Sequence, residues 1–158
     1  MKKTNAARIL DQHRIEYDLV EYEIDENDLS AENVAAKVGQ PISVVYKTLV
    51  LEGDKTKYLV AVIPGAAEVD LKKLAALSGN KKCWLVPLKN IQALTGYIRG
   101  GVSPVGMKKS FPEFLDEQAF EHDKIFVSAG MRGLQIHLSP GDLQKVTGAV
   151  KGDISTTD

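Results

Sequence analysis

The chain switches between two hydrophobic periods, and the points of change predict its elements. Ala7, Ile9 and Leu10 fall partly on one face of a short opening helix within residues 4–15, with Thr4 or Asn5 as cap. "EYDLVEYEI", residues 16–24, alternates in the two-residue period of an outer strand. "SAENVAAKVG", residues 30–39, returns to helical spacing, with Ser30 as N-cap, Glu32 in the first turn and Gly39 as the stop. "VVYKTLV", residues 44–50, reads as a strand, and "EGDK" turns it back into "KYLVAVIP" as a hairpin. "DLKKLAALSG", residues 70–79, is a third helix, capped by Asp70, closed by Gly79 and striped by Leu71, Leu74 and Ala75. "KCWLV" is another short strand, and "PLKNIQALTG", residues 87–96, another helix that starts at Pro87 and ends at Gly96.

Regularity then lapses. "GYIRGGVSPVGMKKS" holds four glycines and a proline between residues 96 and 106, too many for a helix or a central strand. "KIFVSAG" and "LQIHLS" are strands joined around a second glycine loop, "AGMRG", and a last helix begins at "SPGDLQKV", where Ser139 caps and Pro140 suits the first turn. Helices and strands interleave without strict βαβ alternation, which predicts an α+β fold with a curved, mixed sheet and flanking helices. One domain over residues 1–150 is expected, with "KGDISTTD", residues 151–158, as a loose tail.

Composition narrows the functional classes. A chain of 158 residues, 44% hydrophobic and 26% charged, buries roughly 70% of its unfolded surface as one domain. A single cysteine, Cys83, excludes an internal disulfide framework and a cysteine-rich zinc site, and His13, His122 and His137 are too scattered for a local metal motif. Neither metal nor cofactor is expected, and a reducing cytoplasm is the expected setting. No apolar run approaches the ~20 residues of a membrane span. The net charge of −1 gives no general basic field, although Lys72-Lys73, Lys81-Lys82 and Lys108-Lys109 form three dilysines suited to a phosphate backbone on one face.

The chemistry starts from Lys47. In strand register Val45, Lys47, Leu49 and Leu51 share one face and Tyr46, Thr48 and Val50 the other, and neither face is polar. An ammonium there must reach water, a partner or a cleft, because an unpaired buried charge is strongly disfavoured. No G-x-S-x-G elbow, P-loop, G-x-G-x-x-G after a strand, or H-E-x-x-H is present. Cys83, beside Trp84 in an apolar strand, reads as a core residue, His137 shares a strand face with Gln135 and Ser139, and Ser103 before Pro104 reads as turn chemistry. What remains is a strand lysine and two glycine loops whose amides suit an anion or a developing oxyanion.

The ordered set "VYKTLV", "AVIPGAAEVDLKKLAAL", "TGYIRGGVSPVGMKK" and "VSAGMRGLQIHLSPGDL" resembles the YbaK family of aminoacyl-tRNA deacylases, related to the editing domain of bacterial prolyl-tRNA synthetases. The resemblance runs from about residue 4 to 150 and implies a barrel-like mixed sheet and hydrolysis of mischarged tRNA in trans. It implies that Lys47 is the catalytic lysine holding the terminal adenosine and its phosphate, and that Tyr22 lines the same pocket. It implies that the loop Gly100, Gly101, Val102, Ser103, Pro104 matches the family's G-x-x-x-P loop over the aminoacyl group, and that Ser128, Gly130 and Gly133 belong to a second loop, written S-G-G-K-R-G in close relatives. The acceptor end of tRNA and prolyl-tRNA synthetase are the implied partners, with Lys72, Lys73, Lys81, Lys82, Lys108 and Lys109 as acceptor-stem contacts.

Two departures bear on substrate. Gln135 stands where a relative carries aspartate, and Ala129 and Met131 replace a glycine and a lysine. A carboxamide hydrogen-bonds but is no general base at neutral pH. Cysteine on proline tRNA tolerates this loss, since its own thiol is implied to attack the ester and leave as a cyclic thiolactone; a water-dependent route for alanine, the alternative substrate, suffers more. Two other classes fit the same residues: a non-catalytic tRNA- or synthetase-binding module, and a Schiff-base enzyme using Lys47.

Overall fold

The hairpin around "EGDK" forms the centre of the protein, shown here by a computed structural model that describes residues 3–156. Its arms, Tyr46–Gly53 and Lys57–Pro64, pair antiparallel from Tyr46 opposite Pro64 to Gly53 opposite Lys57. Asn80 fastens the turn: its Oδ1 accepts the Lys55 and Thr56 amides at 2.8 and 3.0 Å, and its Nδ2 donates to Thr56 Oγ1 and Ser78 Oγ.

In chain order the strands are β1 (Tyr17–Glu21), β2 (Tyr46–Gly53), β3 (Lys57–Pro64), β4 (Glu68–Val69), β5 (Cys83–Leu85), β6 (Glu113–Asp116), β7 (Ile125–Met131), β8 (Leu134–Leu138), β9 (Val150–Gly152) and β10 (Ser155–Thr156). They form a five-stranded mixed sheet in the order β5-β2-β3-β6-β9, an antiparallel sheet β1-β8-β7 and the small pair β10-β4. The parallel bridge Val45–Phe126 joins the two larger sheets. The expected α+β architecture stands, with the strands distributed over three sheets. Val60, Val62 and Leu115 from the larger sheet meet Val127, Ile136 and Leu138 of the second in the main core. The opposite face of β3, with Leu59, Ala61 and Ile63, packs on Leu74 and Ala75 of the third helix. Covered on both faces, β3 reads as a nearly unbroken apolar run.

The helices are α1 (Asn5–Gln12), α2 (Ala31–Val38), α3 (Leu71–Ser78), α4 (Ile91–Thr95) and α5 (Pro140–Thr147). Their caps follow the sequence reading. Ser30 Oγ accepts from Asn33 N–H, Asp70 Oδ1 from Lys73 N–H and Ser139 Oγ from Asp142 N–H, while Gly39, Gly79 and Gly148 close α2, α3 and α5 in the left-handed region. Among the described residues no helix is long and apolar enough to cross a membrane.

Four details differ from expectation. The helix expected over 87–96 splits into a 3-10 turn, Leu88–Asn90, and the short α4, and α1 is confined to Asn5–Gln12. β6 was hidden in a stretch with no clear period. The tail is not loose as far as Thr156: β9 pairs with β6, β10 pairs with β4, and Ile154 is fully buried with Leu59 and Leu74. Asp116 locks this segment by accepting the Ile154 amide at 3.3 Å. Residues 157 and 158 of the expected tail lie outside the described residues.

Candidate active site

Strand β2 has neighbours on both sides only at its ends. Val45 is bridged to β7, and Leu51–Gly53 pair with β5, with one further bond from the Val86 amide to the Val50 carbonyl at 3.0 Å. Between these points β2 presents an unpaired edge, and a cavity of about 640 Å³ opens against it. The start of α2 from Leu29 forms one wall, the segment Leu85–Ile91 a second, and Arg99, Gly100 and Val102 of the first glycine loop a third; Ser128 and Gln135 from the neighbouring sheet also line it.

Lys47 lies half-buried in this cavity and makes no ion pair with any described residue. Lys47 and Arg99 are its cations, and Glu32 is the one carboxylate among the lining side chains, which include no histidine or cysteine. Three lining residues carry buried side-chain oxygens that lack a hydrogen-bond partner: Tyr46 Oη, Thr48 Oγ1 and Gln135 Oε1. Burial, with the Asp116 and Glu121 carboxylates after it, raises the Tyr46 hydroxyl far above the ordinary phenol range, so it stays protonated. The cavity therefore offers positive charge and a single carboxylate, while these three oxygens are enclosed by protein, that of Tyr46 in the main core on the side of Asp116 and Glu121.

The structure brings four of the expected site residues, Lys47, Gly100, Ser128 and Gln135, to this cavity. The others stand nearby with different contacts. Tyr22 and Gly133 line a second cavity of about 590 Å³, together with Glu21, Met131 and Arg132, and the Tyr22 amide donates to the Gly133 carbonyl at 3.0 Å. Ser103 is fully buried, and its Oγ closes a turn by accepting the Val105 amide at 3.2 Å; Pro104 is buried beside it. Gly101 packs so closely on the β7–β8 turn that a Cβ would lie 3.0 Å from the Met131 Cα. Gly130, at φ +102°, lies under the Tyr97 ring, where a Cβ would come within 2.9 Å of Cε1. Ser128 Oγ accepts the Gly130 amide at 3.1 Å, which ties the second loop to the cavity wall.

Lys72, Lys81, Lys82, Lys108 and Lys109 are exposed, whereas Lys73 is engaged by Asp153 at 2.8 Å. His137 lies outside the cavity, stacked on Phe126 at 4.1 Å between ring centroids, and burial lowers its basicity. Cys83 is buried; its thiol donates to the Leu71 carbonyl, and burial raises it above the ordinary thiol range. Among the described residues no group of three His, Cys, Asp or Glu side chains could hold a metal ion. Sequence reasoning missed Tyr46, Thr48 and Arg132. The first two flank Lys47 in "VYKTLV", and their hydroxyls in an otherwise apolar strand were the available signal; Arg132 acts through contacts distant in sequence.

Residues 25–146 match the aminoacyl-tRNA editing domain. EbsC of Enterococcus faecalis, whose name proposes a Cys-tRNA(Pro)/Cys-tRNA(Cys) deacylase, is 49% identical over 157 residues, covering 99% of this chain and 96% of that protein. A proline–tRNA ligase of Thermosipho melanesiensis is 28% identical over 106 residues, 67% of this chain and 18% of the ligase. A solved structure described as a proposed trans-editing enzyme for prolyl tRNA synthetase superposes with a TM-score of 0.82 at 25% identity, covering 98% of this chain and 99% of the other. These likenesses place the fold in the editing class. The chain belongs to the aminoacyl-tRNA editing domain family, and within it to the YbaK type that its four sequence motifs resemble.

Proposed function

We propose that this protein is a trans-editing deacylase that clears mischarged tRNA, with cysteine on proline tRNA as its main substrate. The observation that carries this reading is a cavity built on Lys47, which has no ion-pair partner among the described residues, with Arg99 beside it and a lining that holds no histidine or cysteine. An aminoacyl ester of a terminal adenosine supplies what such a site lacks. Its phosphate meets the Lys47 ammonium.

The chemistry asks little of the protein beyond position and electrostatics. The cysteine sulfur attacks its own carbonyl carbon, the S–C bond forms and the ester C–O bond breaks. The thiol proton passes to the departing ribose oxygen, leaving tRNA and a cyclic thiolactone. No cofactor enters the step. Gly100 is the loop residue set to approach the aminoacyl group, and Ser128 and Gln135 bound the space it occupies. Gly101, Ser103, Pro104 and Gly130 shape the two loops, while Tyr22 and Gly133 serve the second cavity. Of the dilysine groups, Lys72, Lys81, Lys82, Lys108 and Lys109 are free for acceptor-stem phosphates. The likeness to part of a proline–tRNA ligase supports prolyl-tRNA synthetase as the partner that hands over the product. Discrimination between near-isosteric amino acids by an apolar pocket is worth only ~1–3 kcal/mol, which is why a separate clearing site is needed.

The test charges proline tRNA separately with cysteine, S-alkylated cysteine, alanine and proline. Cysteine is expected to be released fastest and the S-alkylated ester to survive. Equal release of the alkylated ester would remove the thiol step and leave a water-dependent deacylase. If no ester is cleaved faster than in buffer while tRNA is bound, the protein is a binding module.

A further inference from the structure

Strand β5 is an edge of the five-stranded sheet, and its residues do not share one environment. Cys83 turns inward to α3, whereas Trp84 is 43% exposed, and Leu85 and Leu88 are more exposed still at 52% and 61%. Three large apolar side chains within five residues form a patch that wraps the sheet edge, Trp84 on one face and Leu85 on the other, and that a free monomer gains nothing by exposing. Leu85 and Leu88 also line the Lys47 cavity, so the patch reaches its rim through these two leucines, with Trp84 across the strand from them. Its flanks are basic: Lys81 and Lys82 precede it and Lys89 follows it, all exposed and none ion-paired with a described residue. The Lys81 and Lys82 amides are both held by Asp54 Oδ1, at 2.9 and 3.1 Å, which fixes the backbone that presents the two ammonium groups.

We propose that Trp84 is a stacking platform for an unpaired base of the substrate's single-stranded acceptor end, with Lys81, Lys82 and Lys89 taking the adjacent phosphates. This deepens the deacylase reading and rests on it. Aromatic faces alternating with cations are the physical requirement for holding single-stranded nucleic acid without reading its sequence. The register supplies the spacing. Trp84 pairs with Glu52, five residues along β2 from Lys47, or ~17 Å at the rise of a strand. The odd offset sets Trp84 on the sheet face opposite Lys47, so a strand whose last nucleotide is at Lys47 passes over the β5 edge to set an upstream base, a few nucleotides back, on Trp84. Glu52 on the same face disfavours a phosphate at that point and leaves the indole for a neutral base, while the lysines on either side take the charge.

The chain has a single tryptophan, so its emission reports on this site alone. The experiment titrates the protein with uncharged proline tRNA, and with the same tRNA lacking its single-stranded end, while following tryptophan fluorescence. Saturable quenching by the intact tRNA and its loss with the trimmed one are expected. In deacylation of cysteinyl-tRNA, Trp84→Ala is expected to raise KM about 5–100-fold with kcat unchanged, and Trp84→Phe to restore most of the loss. Unchanged emission on binding intact tRNA, together with an unchanged KM for Trp84→Ala, overturns the proposal. Loss of binding to prolyl-tRNA synthetase by Trp84→Ala, with deacylation of free tRNA unaffected, also overturns it, in favour of a protein-docking surface. Quenching without cleavage of any ester retains the platform and rejects the deacylase reading instead.

Discussion

Arg132 donates its Nε–H to the Arg99 carbonyl at 2.8 Å, joining the turn after β7 to the glycine loop that walls the Lys47 cavity. Its Nη1 reaches Glu26 at 3.3 Å, and a Cβ added to Gly100 would stand 3.3 Å from its Nε. One guanidinium thus gathers three segments that are far apart in sequence. None of the three has helix or strand structure at the point of contact to hold it there.

Removing that clamp is expected to loosen the loop more than the fold. Arg132→Ala should lower kcat/KM for cysteinyl-tRNA about 10- to 100-fold, since hydrogen bonds from charged donors are worth ~1.5–3 kcal/mol. Arg132→Lys should restore little, because an ammonium lacks the planar fork that serves the carbonyl and the carboxylate together. Steady-state kinetics on the two variants, with thermal melts as a control for folding, checks this.

Gly101 tests the same loop from its other side. A methyl group there would press on the Met131 Cα at 3.0 Å and its carbonyl carbon at 3.1 Å, both backbone atoms that cannot swing aside. Gly101→Ala should cost about 1–3 kcal/mol of stability by denaturant unfolding and displace the loop enough to reduce deacylation.

Glu113 gives the protein a pH dependence unrelated to the site. Its Oε1 is enclosed without a partner, and burial raises its carboxyl to about 9. The folded state therefore keeps a proton that the unfolded chain has lost above the ordinary glutamate range. The stabilising contribution of the protonated form is complete below pH ~4.5 and falls away as pH rises toward 9, at up to ~1.4 kcal/mol per pH unit. Glu113→Gln should flatten this slope, so its stability advantage over wild type grows between pH 5 and pH 8 in urea titrations.

Much of the fold was legible because its signals are local. Ser30, Asp70 and Ser139 announce helices that their hydroxyls and carboxylate then cap, and "EGDK" between two apolar runs could only be a hairpin. β6 and β9 were not legible, since each pairs in parallel with a strand far along the chain and is too short to show a period. The site divides in the same way. A lysine inside an apolar strand marks itself, and Lys47 does line the cavity, as do Gly100, Ser128 and Gln135. Tyr22 follows the end of β1 with its amide on the Gly133 carbonyl and lines the second cavity, a placement set by contacts between segments far apart in sequence. No local pattern carries that information, nor does any predict that Arg132 will find the Arg99 carbonyl.

The central claim is that Lys47 holds the substrate in a cavity that leaves the attack to the substrate's own thiol. Its most direct test is the rate of cysteine release from proline tRNA by wild type and by Lys47→Ala, under single-turnover conditions with enzyme in excess. The account predicts a fall of about 100-fold or more in a variant that still folds, as expected when an electrostatic contact to the reacting end is removed. Release by Lys47→Ala at the wild-type rate would contradict it and place the chemistry elsewhere in the molecule.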